Sequence, residues 1–527
     1  MSRPQTVSVA ALFERSYRDY AERIAVCDGG RQLTYRELGE RAHAFAHALT
    51  GLGLRPGDRV ALLCGNRAEF VEADQGLFTG GFVRVALSVR LHLREVVHIL
   101  AHSGARAVVA DAEWAAQLAS AHDGLTALEH VIALDGGGGL DFEELIAAAG
   151  PTPGPGPAAP PGVDDIAALL YTSGTTGLPK GATLTHGNWA AMIRNSLIEL
   201  PPVDESDVVL HVAPLSHFSG YIGPTYFTRG ARHVILRRFD PTEVLAAVGE
   251  HRVTTLPLVP TMLNQLLLAA EEIPFDASSL RTVVYGASAI APDRLARAVR
   301  VFGDVFVQVY GLSETPLPLT ALSQRDHRFD PAGQPPARLA SAGRPSPFVE
   351  LKIVDGAGEE VRSGEVGEIA VRGDVVMRGY WNDPRATAEM IDADGWAATG
   401  DLGRRDTDGY VTIVDRKGDM IVSGGYNLYP GEIENVISTL REVQEVAVVG
   451  VPDERWGEAV KAIVVVRPGH SLTAEQVVAV CRANLASYKK PLSVDFVEEL
   501  PKTGSGKILR RSLRERYWQG LERRVGG

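Results

Sequence analysis

Residues 171–181 read Tyr-Thr-Ser-Gly-Thr-Thr-Gly-Leu-Pro-Lys-Gly, a run of hydroxyls, glycines and one lysine too polar to be core. Gly174, Gly177 and Gly181 let the backbone turn N–H groups toward an anion. Thr172, Ser173, Thr175 and Thr176 supply hydroxyls, and Lys180 supplies a point charge. The chemistry this suits is the cradling of a phosphate. It is not the Walker loop, because Pro179 and Gly181 stand where that motif needs glycine and Ser/Thr. A shorter piece of the same composition would be an ordinary solvated turn, and it is the whole run that argues for phosphate.

Other stretches also carry chemistry-bearing residues. His217 follows a strand expected over 208–212, where a lone histidine is most often a structural hydrogen bonder. Gly286, Ala287 and Ser288 end a strand over 283–285 and are small enough to let the flat face of a purine approach the backbone. A strand over 305–310 ends in Tyr310-Gly311-Leu312-Ser313-Glu314-Thr315, whose carboxylate is a hard oxygen ligand of the kind magnesium accepts. Asp401 is a pure acceptor able to take two hydroxyls at once, with Arg416 fifteen residues on. Lys507 stands in a glycine-rich segment before an apolar helix start.

In this order the blocks resemble those of the adenylate-forming superfamily, which holds acyl-CoA and aryl-CoA synthetases, luciferases and peptide-synthetase adenylation domains. The resemblance spans roughly residues 10–515. It implies ATP, Mg²⁺ and coenzyme A as co-substrates and cofactor, and a small-molecule carboxylic acid as partner. By resemblance Tyr310 packs on adenine, Ser313 and Thr315 meet phosphate, and Glu314 binds the metal. Asp401 and Arg416 hold ribose and phosphate, and Lys507 is the catalytic lysine. His217 matches a gate to the acyl pocket, beside Phe218, Ser219, Gly220, Tyr221 and Leu312. Gly424 and Gly425 match a pantetheine tunnel, and Trp456, Tyr488 and Lys490 fall where related ligases hold the CoA nucleotide.

Departures from the pattern narrow the expectation. Peptide-synthetase relatives carry an aspartate just after His217, whereas Phe218-Ser219-Gly220 stands here, so an α-amino acid is disfavoured. Acetate-activating relatives carry tryptophan at the position of Gly311, so glycine is expected to leave room for an aromatic or a medium to long chain. The hinge position that usually carries lysine or aspartate is Gly418.

The elements that must position these residues follow from pattern and composition. Helical spacing over 35–54, 68–79 and 93–103, between short apolar runs at 60–63, 82–85 and 107–110, predicts a parallel sheet covered on both faces. Gly- and Pro-rich residues 135–140 and 151–162 read as a surface turn and a linker. A β-rich subdomain is expected over 340–415 and a mixed lid thereafter. The fold class is therefore α/β: a large N-terminal domain, 1–417, of layered sheets plus a β-rich subdomain, and a small mobile lid, 418–527.

At 527 residues the chain exceeds one domain of about 150. A net charge of −12 argues against a general nucleic-acid binder, and no stretch reads as a signal peptide or membrane span. Three distant cysteines suggest neither a disulfide framework nor a metal cluster, so a reducing cytoplasm is the expected setting. Oligomeric state is left open, with a homodimer as one candidate. The expected activity is ATP-dependent ligation of an apolar acid to CoA. The alternatives are transfer to a carrier-protein thiol or an amine, nitrite-dependent diazotisation included, and a non-catalytic nucleotide-binding module.

Overall fold

The computed structural model describes residues 7–120, 125–150, 160–172, 179–330, 332–423, 426–502 and 508–518. The expected alternation of strands and helices appears, with Leu93–Ser103 and Ala107–Ala110 at the expected bounds. Local chemistry explains the helix ends. His92 and Glu95 form a reciprocal cap at the start of Leu93–Ser103, and Gly104 closes it in the left-handed region at φ 62°.

The large domain holds two mostly parallel sheets. In the nine-stranded sheet Val208–His211, Thr255–Leu258, Thr282–Gly286 and Phe306–Tyr310 run parallel as neighbours. Their carboxyl ends therefore open on one edge, where open α/β sheets place ligands. In the eight-stranded sheet Ile166–Thr172 turns back antiparallel into Lys180–Thr185. Gly379–Tyr380 then adds antiparallel to that strand, with Tyr380 opposite Ala182. The strands are buried apolar runs, as double coverage requires; Val60, Ala61, Leu62 and Leu63 are all 0% exposed.

The β-rich part is a four-stranded antiparallel sheet that ends with Ala397–Arg405 and Val411–Arg416. After a turn at 417–419 the chain enters a separate sheet built from Ile421–Ser423, Tyr426–Leu428, Val443–Asp453, Gly457–Val466 and Ser493–Phe496. That lid has its own core, in which Ile433, Ile437, Val448 and Val464 are fully buried. Cys27, Cys64 and Cys481 are all free and buried. Burial pushes their thiols up, that of Cys481 to about 11. Among the described residues no helix is long and apolar enough to cross a membrane.

Candidate active site

Two sheets and the β-rich subdomain deliver their polar strand ends to one cleft of about 2390 Å³ between the large domain and the lid. Thr172, Lys180, His217, Gly286, Ala287, Ser288, Tyr310, Gly311, Ser313, Glu314, Asp401 and Arg416 all line it. Residues far apart in sequence are thus brought together. Ser173, Gly174, Thr175, Thr176 and Gly177 of the phosphate loop, Gly424 and Gly425, and Lys507 lie outside the described residues.

The firmest geometry surrounds Asp401. Asp401 and Arg416 face each other across neighbouring antiparallel strands, and Arg416 Nε sits 2.6 Å from Asp401 Oδ1. The Tyr310 hydroxyl donates to Asp401 Oδ2 at 2.6 Å. Asp401 is 4% exposed, so its charge is met by a cation and a charge-assisted hydrogen bond, as a buried carboxylate requires. Burial, then the Asp401 charge, push the Tyr310 phenol well above its ordinary value. Burial pulls the Arg416 guanidinium down, and Asp401 and Tyr310 outweigh it, so the group stays charged.

Glu314 lies beside residues at the two ends of the phosphate loop. Its Oε1 accepts from the Tyr380 hydroxyl at 2.9 Å and from Thr172 Oγ1 at 3.4 Å. Lys180 Nζ stands 5.3 Å above the Tyr380 ring and 3.8 Å from Asp383. Among the described residues both Glu314 side-chain bonds use Oε1, which leaves Oε2 for a hard cation that shares its shell with phosphates. No cluster of three or more metal-binding side chains occurs among the described residues. The donor set therefore fits an ion arriving with a nucleotide rather than one held by protein alone.

The loop 213–217 is built from below. Asn66 donates to Ala213 O at 3.0 Å and accepts from Leu215 N–H at 2.8 Å. Arg84, 1% exposed and ion-paired with Asp74, reaches Leu215 O at 3.4 Å and stacks on Trp189. Trp189 in turn stacks on Tyr221, which lines the cleft. His217 bonds Ser216 Oγ through Nδ1 at 2.8 Å. The structural histidine here is His211, on the strand itself. It is fully buried against His233 at 2.7 Å and kept neutral, its pKa pushed down to about 3 by burial.

Phe218, Tyr221 and Leu312 line the cleft, but Ser219 and Gly220 do not. Ser219 faces the core, 0% exposed, and a Cβ on Gly220 would lie 2.0 Å from Leu215 O. The helix Phe218–Phe227 turns every third or fourth residue outward, which the linear reading ignored. Thr315 is likewise buried and away from the cleft lining, its hydroxyl without a partner among the described residues. Gly311 opens no pocket: a Cβ there would sit 2.5 Å from Leu317 N and 2.6 Å from its Cα. Glycine is needed for a close backbone approach, not for substrate room.

Trp456 and Tyr488 are exposed on the lid and Lys490 is half-buried there, all three outside the cleft lining. Tyr488 stacks on Tyr426 at 4.7 Å, and Trp456 lies under Arg455. Gly418 lines the cleft at the turn between sheets, and its carbonyl accepts from Arg514 at 3.2 Å. Sequence reasoning missed Tyr380, Asn66, Arg84 and Asp415. Asp415 Oδ2 accepts from Gly431 N–H at 2.8 Å, across the turn at 417–419. Only Asp415, beside Arg416, stood next to a recognised motif.

Comparison with known proteins agrees with this geometry. Residues 13–381 match the family described as AMP-binding enzyme, and residues 432–507 match the AMP-binding enzyme C-terminal domain. A feruloyl-CoA synthase from Amycolatopsis sp is 40% identical over 495 residues, covering 94% of this chain and 96% of its own. A medium/long-chain-fatty-acid–CoA ligase from Mycobacterium tuberculosis is 38% identical over 526 residues, covering 94% of this chain and 88% of its own. The solved structure of an anthranilate CoA ligase with anthranoyl-AMP superposes at a TM-score of 0.89 with 28% identity, over 98% of each chain. With the first match alone spanning more than half its length, this chain belongs to the AMP-binding enzyme family.

Proposed function

We propose that the protein is an AMP-forming acid–CoA ligase acting on an apolar monocarboxylic acid, aromatic or of medium to long chain. The observation that carries this reading is the convergence of Lys180, Glu314 and the Tyr310–Asp401–Arg416 network on one cleft. The relatives that act on feruloyl and fatty acyl groups support the acid class, and CoA is the acceptor in their names.

In the first step the acid's carboxylate oxygen attacks the α-phosphorus of ATP and pyrophosphate leaves. Asp401 would accept the ribose hydroxyls, Tyr310 would lie against adenine, and Arg416 and Lys180 would hold phosphate oxygens. A magnesium ion bound with the triphosphate at Glu314 would neutralise charge on the departing pyrophosphate. Lys507 and the phosphate loop would stabilise the charge developing on the reacting centre, a contribution of about 3 to 4 kcal/mol per preorganised donor. In the second step the CoA sulfur attacks the acyl carbon and AMP leaves. His217, at the cleft wall, gates the acyl side. Phe218, Tyr221, Val259, Val309 and Leu317 give that wall its apolar character.

Lys507→Ala tests the reading. Acid-dependent pyrophosphate exchange should fall by orders of magnitude while ATP affinity changes little, because the lysine acts in the reactive state. A panel of acids should rank acetate and dicarboxylates last. Equal loss of exchange and ATP affinity, or acetate as the best substrate, refutes it.

A further inference from the structure

One contact joins the large domain to the lid at a point away from the turn at 417–419. Arg294 lies in the first turn of the helix Pro292–Phe302, in the large domain. Its guanidinium crosses the cleft and donates to Val443 O at 3.3 Å and to Gln444 O at 3.4 Å from each of its terminal nitrogens. Those residues open the lid strand Val443–Asp453. Val443 is fully buried in the lid's core, so a grip on its carbonyl is a grip on the lid as a body.

The grip leads to the lysine segment in two steps. Glu445, the next residue of that strand, holds Lys502 Nζ at 2.6 Å. Lys502 pairs antiparallel with Ile508, so the two bracket the segment that contains Lys507. Ile508, Leu509 and Arg510 line the same cleft as Glu314 and Asp401. Tyr426, which follows Gly424 and Gly425, is 57% exposed and does not line it. The lid is therefore seen with Ile508, Leu509 and Arg510 turned toward the cleft and Tyr426 turned away from it.

We propose that Arg294 is a positioning residue that latches the lid in this orientation, favouring adenylation and releasing before thioester formation. The inference rests on the adenylate-forming reading above. Arg294 belongs to one domain and its acceptors to the other, so any rotation about 417–419 must break all its bonds together. The bonds are long, individually weak and made to main chain, which suits a contact that must open every turnover. Arg467, within the lid, also reaches Val443 O at 3.3 Å. A second guanidinium thus remains on that carbonyl when Arg294 leaves, so release strands no buried acceptor.

The test separates the half-reactions in Arg294→Ala and Arg294→Lys. Single-turnover acyl-AMP formation is timed first; CoA is then added to enzyme-bound acyl-AMP and thioester formation is timed. Arg294→Ala should slow the first step about tenfold and leave the second unchanged or a few-fold faster, with Arg294→Lys recovering part of the loss. A raised Kd for ATP or KM for CoA at unchanged single-turnover rates would make Arg294 a substrate-binding residue and overturn the proposal. Equal slowing of both steps, with a lower melting temperature in both variants, would make it merely structural and also overturn it. Full pyrophosphate exchange in Lys507→Ala would instead overturn the adenylation reading itself, and the latch with it.

Discussion

Tyr380→Phe removes a single oxygen, and the structure says what that oxygen does. The hydroxyl donates to Glu314 Oε1 at 2.9 Å, while the ring carries Lys180 5.3 Å above its face. Hydrogen bonds to charged acceptors contribute about 1.5–3 kcal/mol net, and the partial exposure of both groups favours the lower end. The Thr172 contact at 3.4 Å is too long to compensate. Free of its donor, the Glu314 carboxylate samples rotamers that do not face the phosphates. About 1.4 kcal/mol corresponds to a tenfold weaker apparent affinity for magnesium in the exchange reaction. Phenylalanine keeps the cation–π platform, so ATP binding measured without magnesium should not change. Tyr380→Leu loses both functions and should also weaken ATP severalfold, by the ~0.5–1 kcal/mol of an exposed cation–π contact. The assay is acid-dependent pyrophosphate exchange at saturating ATP and acid, titrated with free magnesium. Exchange that falls in Tyr380→Phe with an unchanged magnesium midpoint would show that the hydroxyl does not act through Glu314.

Three further outcomes are expected. Gly311→Ala places a methyl 2.5 Å from Leu317 N, an overpacking of about 1–3 kcal/mol, so adenylation should fall for short and long acids alike; a selective gain with acetate would show that the pocket argument was right after all. A Cβ at Gly418 meets open space in the present orientation, so Gly418→Ala should leave acyl-AMP formation near normal and Gly418→Pro should slow transfer to CoA strongly; equal retention of both steps in the proline variant would move the hinge elsewhere. Burial pushes the Asp415 carboxyl up from 3.8 to about 6 against the pull of Arg510. The folded state then binds the proton more tightly, so the group's unfavourable contribution is full above about pH 6 and relieved as pH falls toward 4. Asp415→Asn keeps an acceptor for Gly431 N–H and should lose that slope, with a gain of up to about 3 kcal/mol at pH 8; melting curves from pH 4.5 to 8 that keep the wild-type slope would refute this.

The strand ends were legible in the sequence because each strand leaves its own punctuation. An apolar run, then small or hydroxylated residues, reads as strand over 283–285 and 305–310 without any knowledge of their neighbours, within a residue at each end of the observed Thr282–Gly286 and Phe306–Tyr310. The Asp401–Arg416 pair was half legible: their separation suits a hairpin, but only the register sets one opposite the other. Tyr380 was not legible, because its importance comes from pairing with a strand 198 residues earlier in the chain, at Ala182. The small residues beside His217 were misread for a related reason. Helical phase, not adjacency, decides which of Ser219, Gly220 and Tyr221 sees the cleft, and composition holds no phase. Gly311 looked like vacant space in the sequence and is filled space in the fold.

The three buried cysteines bear on a hazard that every enzyme of this kind faces. An acyl adenylate is a potent acylating agent, generated inside a protein and destined for a sulfur nucleophile. Cys27, Cys64 and Cys481 are each packed into a core, with their thiols held in the protonated, unreactive form. The folded chain thus presents no thiol of its own to compete with the incoming one, and fidelity toward the acceptor is secured partly by subtraction. Reagents that titrate thiols should find none until the protein unfolds, which makes the same three side chains an internal clock for opening of each core.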